Sequence, residues 1–348
     1  MNIPELVSKY DLDNQFEVLI NSYRQIEYAR QNEADISAIN LSKVSNLIIT
    51  GLGGSAIGGD LFINLFTDEL NVPAIVNRNY TLPNFADEKS LVIVSSYSGN
   101  TEETLSAVND ALKKECQIIC ITTGGKLKYI AEENNLPIFI LQKGLQPRYG
   151  VWINFFTLIK IAQLITLIPN QDSFFNDSIE LIKRNGKQLS VENNKAYQIA
   201  ESLCGFIPII YSVADKTYAV GNRFKCQLNE NSKLHAFHNV FPELDHNEII
   251  GWETFNENKL NSKIIIINDK DYNDRNKKRI EITSRVIRKT GSEIIYLESE
   301  ESNHRLRQID LVYLGDWISY YLALLRGFDP SEIENINYLK NQLAEKSP

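Results

Sequence analysis

The chain has 348 residues, more than one compact core ordinarily serves, so two domains are the default expectation. Its 43% hydrophobic and 23% charged residues are those of an ordinary globular protein. The net charge of −8 argues against a nucleic-acid partner, whose backbone would repel it, but leaves room for a local basic pocket that holds a phosphate ester.

The first residues, MNIPELVSKYDLDNQ, carry neither a basic n-region nor an apolar h-region, so they do not read as a signal peptide. Apolar positions at Phe16, Leu19, Ile20, Tyr23 and Ile26 predict a helix over 14–32. A buried strand over 46–50 runs straight into the glycine loop GLGGSAIGG, with a helix over 57–66 behind it. A short strand over 74–76 follows. The pattern recurs with a strand over 91–95, the polar loop SYSGNT, and a helix over 102–114 with acids in its first turn, where the helix dipole favours them. Strands over 117–122 and 137–141 flank a helix from residue 126. Strands alternating with helices imply a parallel sheet covered on both faces.

The stretch 151–204 is mostly helical. Its apolar run from 151 to 168 is interrupted by Asn154, Lys160 and Gln163, which makes it a buried helix and not a membrane span. A second α/β pattern begins at 207, with a helix over 218–229, a strand over 263–268, a basic helix over 275–289 and a strand over 293–297. Two helices, over 305–326 and 331–343, close the chain. The boundary between halves falls near Glu192, which gives units of 1–191 and 192–348. Cys116, Cys120, Cys204 and Cys226 form no Cys-x-x-Cys pair, so a disulfide framework is not expected and a reducing cytoplasm fits.

Two loops carry the chemistry. Each follows a predicted strand and opens a helix, which is where parallel α/β sheets bind ligands. Free backbone N–H groups and the positive helix end favour an anion there. Gly53 and Gly54 allow close approach, and Ser55, Ser96, Ser98 and Thr101 add hydroxyl donors without fixed charge, which suits a phosphate monoester. Gly51 to Ala56 also matches the permissive dinucleotide pattern G-x-G-x-x-A. The next strand ends in Asn77-Arg78 without the acid that holds a ribose, so only an NADP reading through Arg78 survives. His235, His238 and His246, with Glu243 and Asp245, admit a metal reading, but their spacing has no clear period.

Gly53-Gly54-Ser55 and Ser96-Tyr-Ser-Gly-Asn-Thr101 resemble the sugar isomerase, or SIS, domain. Pro147-Arg148, Leu228-Asn-Glu230-Asn, His246-Asn-Glu-Ile-Ile-Gly251 and Tyr338-Leu-Lys340 narrow the match. Together they resemble the bifunctional phosphoglucose/phosphomannose isomerase family along nearly the whole chain. The resemblance implies two SIS-type doubly wound domains and a homodimer whose active sites are shared, with His246 donated to the partner's site. It implies cofactor-free, metal-free interconversion of glucose 6-phosphate, and of mannose 6-phosphate, with fructose 6-phosphate through a cis-enediol.

Such chemistry needs a carboxylate to move a proton between C1 and C2, a cation near the enediolate, and an acid/base for ring opening. Glu230 matches the shuttle, although taken locally NENSK reads as a solvated surface. Arg148 matches the stabilising cation, and His246 and Lys340 match the ring-opening groups. The family associates tolerance of both C2 epimers with a threonine near the last helix, where the nearest hydroxyl here is Ser331. Two alternatives use the same loops: a sugar-phosphate sensor, against which the N-terminal segment offers no basic recognition helix, and an amino-sugar-phosphate isomerase.

Overall fold

Runs of β-branched residues form the strands because both faces of a parallel sheet are covered and every position can be apolar. In the computed structural model, which describes residues 2–258 and 261–345, this produces two separate parallel sheets. Three short helices lead in: α1 (Ile3–Tyr10), α2 (Gln15–Ile20) and α3 (Tyr23–Gln31). The periodicity predicted a single helix over 14–32. It is broken at Asn21 and Ser22, whose side chains donate back to the carbonyls of Glu17 (2.9 Å) and Val18 (3.0 Å). Such local bonds compete with the helix ladder.

The first sheet contains β1 (Asn46–Thr50), β2 (Ala74–Asn77), β3 (Ser90–Ser96), β4 (Gln117–Thr122) and β5 (Ile138–Ile140). Its order is β2-β1-β3-β4-β5, all parallel. The connecting helices are α4 (Gly53–Phe66), α5 (Glu102–Lys113) and α6 (Gly125–Glu133). The chain leaves β1 toward one edge and β3 toward the other. The loops after these two strands therefore flank the switch-point crevice in which sheets of this kind hold ligands. Helix α4 begins four residues before the predicted start at residue 57, because the glycine loop is itself its first turn.

Three helices join the halves: α7 (Val151–Leu164), α8 (Asp172–Leu189) and α9 (Lys195–Leu203). The second sheet contains β6 (Ile207–Val213), β7 (Phe237–Phe241), β8 (Ser262–Ile267) and β9 (Ile294–Leu297), in the parallel order β7-β6-β8-β9. Its helices are α10 (Tyr218–Glu230) and α11 (Asp274–Lys289), and α12 (His304–Leu325) and α13 (Glu334–Glu345) close the chain. Strand β7 was not anticipated. His238 and Asn239 hide its pattern, yet both are satisfied: His238 Nε2 lies 2.8 Å from Ser212 Oγ, and Asn239 donates to Glu248 (2.6 Å).

One apolar core runs through α4, α7, α8, α9, α10 and α12 and so belongs to both halves. Helix α12 is buried from Leu306 to Leu324 except at Asp310, and Trp317 within it is wholly enclosed by Phe16, Tyr313, Tyr320 and Tyr321. Truncating such a ring to alanine costs roughly 3–5 kcal/mol. Helix α10 packs against both α4 and α12. Its C-terminal end is thereby carried to the first sheet's ligand edge. Among the described residues no helix is long and apolar enough to cross a membrane.

Candidate active site

The first turn of α4 has no capping side chain and no acid. Its N–H groups and the helix dipole are left for an anion. Gly53 is exposed at φ +53°, and Ser55 is buried beneath it. Across the crevice, Ser96 Oγ and Thr101 Oγ1 are 3.0 Å apart, and Ser96 Oγ accepts the Gly99 N–H at 3.1 Å. Ser98 is exposed and accepts the Asn100 N–H (3.2 Å). The two loops touch: a Cβ on Gly51 would lie 2.7 Å from the Ser95 carbonyl oxygen. A Cβ on Gly54 would lie 2.6 Å from the carbonyl oxygen of Pro147, so the glycine loop also rests on the backbone that carries Arg148.

Arg148 is 3% exposed, and its guanidinium is held by three different groups. Nε donates to Asn231 Oδ1 at 2.7 Å, Nη1 to Glu230 Oε1 at 3.1 Å, and Nη2 to the Pro330 carbonyl. A planar fork serving three acceptors at once has one direction only. Glu230 ends α10 and is about one-third exposed, on the wall of a pocket of about 300 Å³ with Asn229, Lys233, Phe328, Glu332 and Ile336. Burial, then the Arg148 charge, lowers the Lys233 ammonium to about 8.

Behind this pair lies a buried polar frame. Arg223 of α10 donates to the Arg148 carbonyl (3.0 Å) and pairs with Asp316 of α12 (2.9 Å), which also accepts from Gln227 (3.1 Å). Asn231 donates to Ser319 Oγ at 3.0 Å. Burial pushes the Asp316 carboxyl up, and the Arg223 charge opposes that. Breaking a buried pair of this kind costs roughly 3–5 kcal/mol. From sequence, Asn231 entered only as part of the motif Leu228-Asn-Glu230-Asn, and Lys233, Arg223 and Asp316 were not singled out. Asn231 and Lys233 follow Glu230 in NENSK, which reads as uniformly polar. Arg223 and Asp316 are charges within helices, whose burial becomes visible only when α10 and α12 meet.

His246 and Lys340 are not among the hydrogen-bonded partners of this cluster in the chain. His246 is exposed on a 3-10 turn, Glu243–His246, and makes no side-chain hydrogen bond among the described residues. Its neighbours are fixed: Asp245 by Thr283 (2.8 Å) and Arg279 (3.1 Å), and Glu248 by Tyr211 (2.6 Å) and Asn239 (2.6 Å). The turn is pinned on both sides of a ring that faces outward. Lys340 is exposed on α13, one helical turn beyond the pocket residue Ile336. Ser331 is 4% exposed, and its hydroxyl has no hydrogen-bond partner among the described residues.

Arg78, on which the NADP reading rests, is paired with Asp60 of α4. Among the described residues no group of three or more His, Cys, Asp or Glu side chains is placed to hold a metal ion.

Two doubly wound sheets, with hydroxyl and glycine loops at a switch point and an Arg–Glu pair beside them, define a phosphosugar-type SIS protein. The model of the bacterial phospho-glucose isomerase C-terminal SIS domain matches residues 192–343. A bifunctional phosphoglucose/phosphomannose isomerase from Caldicellulosiruptor bescii is 39% identical over 95% of this chain and 99% of its own. One from Aquifex aeolicus is 34% identical over 93% of this chain and 98% of its own. The crystal structure of a hypothetical protein from Thermus thermophilus superposes with a TM-score of 0.73 at 15% identity, over 99% of this chain and 93% of that one. The chain belongs to the bifunctional phosphoglucose/phosphomannose isomerase family.

Proposed function

We propose that this protein interconverts glucose 6-phosphate and mannose 6-phosphate with fructose 6-phosphate through a cis-enediol. The observation that carries the reading is the contact chain from the glycine loop at Gly54, through Pro147 and Arg148, to Glu230. The phosphate sits at Gly53, Gly54 and Ser55, with Ser96, Ser98 and Thr101 on the other wall. Glu230 takes the proton from C2 of the aldose and returns it to C1 of the enediol. The Arg148 guanidinium carries the negative charge that develops on the enediolate oxygens, where a preoriented cation is most effective.

His246 and Lys340 open the sugar ring by moving protons to and from its oxygens. We infer that His246 acts in the partner's site of a homodimer. Its outward ring on a pinned turn supports this, as do the exposed Ile336, Leu339 and Leu343 of α13. Residues 1–191 and 192–348 form the two SIS units; Met1, 259–260 and 346–348 lie outside the described residues. A cytoplasmic location fits the four unpaired cysteines.

The test is to incubate the purified protein with fructose 6-phosphate, with and without EDTA, and separate the products. Glucose 6-phosphate and mannose 6-phosphate together are the expected result. Glucose 6-phosphate alone removes the mannose activity, and no product at all overturns the assignment.

A further inference from the structure

Lys233 lines the same pocket as Glu230, three residues further on, and the family resemblance gives it no role. Its side chain is half-buried, an unusual place for a lysine. Its backbone is left-handed at φ +49°, a conformation that glycine or asparagine adopts at lower cost. A strained, half-buried lysine persists only where its surroundings hold it in place.

Those surroundings are visible. Lys233 Nζ donates to the carbonyl of Asn231 (3.2 Å) and to the carbonyl of Asp329. Arg148 takes the next carbonyl along, that of Pro330. Two cations thus hold two consecutive carbonyls between α12 and α13, and each is tied to the end of α10 as well. An ammonium has three N–H donors. Two are used here, and the third has no protein acceptor among the described residues. A charged donor in a pocket wall must find water or a ligand oxygen, since leaving it unpaired is costly.

We propose that Lys233 is a further substrate-binding residue, whose ammonium is fixed by the Asn231 and Asp329 carbonyls and presents its remaining N–H to an oxygen of the sugar beside Glu230. This rests on the isomerase reading above. Fixing the group in advance lowers the entropy lost when substrate binds. The charged groups that face it are Arg148 from the loop before α7, Glu230 from α10, and Asp329 and Glu332 from the segment after α12. Because burial and Arg148 weaken its hold on the proton, a fraction of Lys233 is neutral at mildly alkaline pH. The neutral amine donates a weaker hydrogen bond, so substrate capture declines there.

The experiment measures kcat/KM for fructose 6-phosphate from about pH 6.5 to 9.5, on the full chain and on Lys233→Gln and Lys233→Met, with melting midpoints beside it. Both variants are expected to lose roughly 10- to 100-fold at neutral pH. The wild-type decline near pH 8 should be absent from their profiles. Unchanged kcat/KM, or the same alkaline decline in both variants, overturns the proposal.

A second measurement needs no variant. The wild-type protein is treated with trinitrobenzenesulfonate and the modified lysines are mapped by mass spectrometry. Fructose 6-phosphate should protect Lys233, and equal labelling with and without it overturns the proposal even if the variants do not fold. A wild-type protein without turnover would refute the isomerase reading instead, and protection would still decide whether Lys233 meets a sugar phosphate.

Discussion

Arg148 Nη1 lies 3.1 Å from Glu230 Oε1, and this one contact joins the loop before α7 to the last turn of α10. The two residues are 82 positions apart, and Arg148 is held in addition by Asn231 Oδ1 and the Pro330 carbonyl. Arg148→Lys keeps the charge but cannot reach Asn231, Glu230 and Pro330 together. We expect kcat to fall by roughly 10²- to 10³-fold, the range seen when one oriented stabiliser of a developing oxyanion is lost. Steady-state kinetics beside a thermal melt checks this. A lysine variant that keeps near wild-type kcat would show that charge alone suffices.

Glu230→Gln removes the proton acceptor while keeping the size and one hydrogen-bonding oxygen. Solvent deuterium should no longer enter C2 of glucose 6-phosphate, while binding of the phosphate ester, read by isothermal titration, stays close to wild type. Exchange that persists would move the base to another residue. Removing this carboxylate, about one-third exposed, also leaves Arg148 with its Asn231 and Pro330 bonds, so the fold should tolerate the change.

Much of this arrangement was legible in the sequence. The alternation of apolar runs and helical stretches gave both sheets, because a strand buried on two faces leaves an uninterrupted apolar signature, as in SKIIII of β8. The loops after β1 and β3 were legible for a local reason: glycines and hydroxyls at a strand end have few other uses. What stayed hidden depended on tertiary contacts. Asn231 and Lys233 look like surface residues until the turn after α12 supplies Asp329 and Pro330. Strand β7 was masked because its polar residues find their partners, Ser212 and Glu248, outside the strand itself.

Gly53 and Gly54 are adjacent but constrained by different physics, and alanine at each should separate the two. Gly53 has φ +53° with open space around its Cβ position, so Gly53→Ala meets a backbone cost of about 1 kcal/mol and little else. At Gly54 a Cβ would stand 2.6 Å from the Pro147 carbonyl oxygen, a contact that only backbone movement relieves. That movement displaces Arg148. Gly54→Ala should therefore lose far more kcat/KM than Gly53→Ala, by at least roughly 10-fold, since small misplacements near the reacting atoms are costly. Equal losses would mean that the glycine loop does not set the position of Arg148.

His238 supplies a test of stability that is independent of catalysis. Its ring is enclosed by Ser212, Tyr218 and Gly221, where a Cβ would lie 2.4 Å from Nε2. Burial, and after it the charge of Lys225, lowers the imidazole from 6.5 to about 4. The folded state therefore resists a proton that the unfolded chain accepts. Above the unfolded value of 6.5 the ring is neutral in both states and its contribution is fully present. As pH falls from 6.5 toward 4, the unfolded chain binds a proton first and the contribution is lost, by at most about 3 kcal/mol. Urea unfolding at fixed protein concentration, for wild type and His238→Gln, should show the wild type's advantage shrinking across that window. If the advantage grew on acidification, the folded protein would be holding a protonated imidazole, whose Nε2–H would donate to Ser212 Oγ.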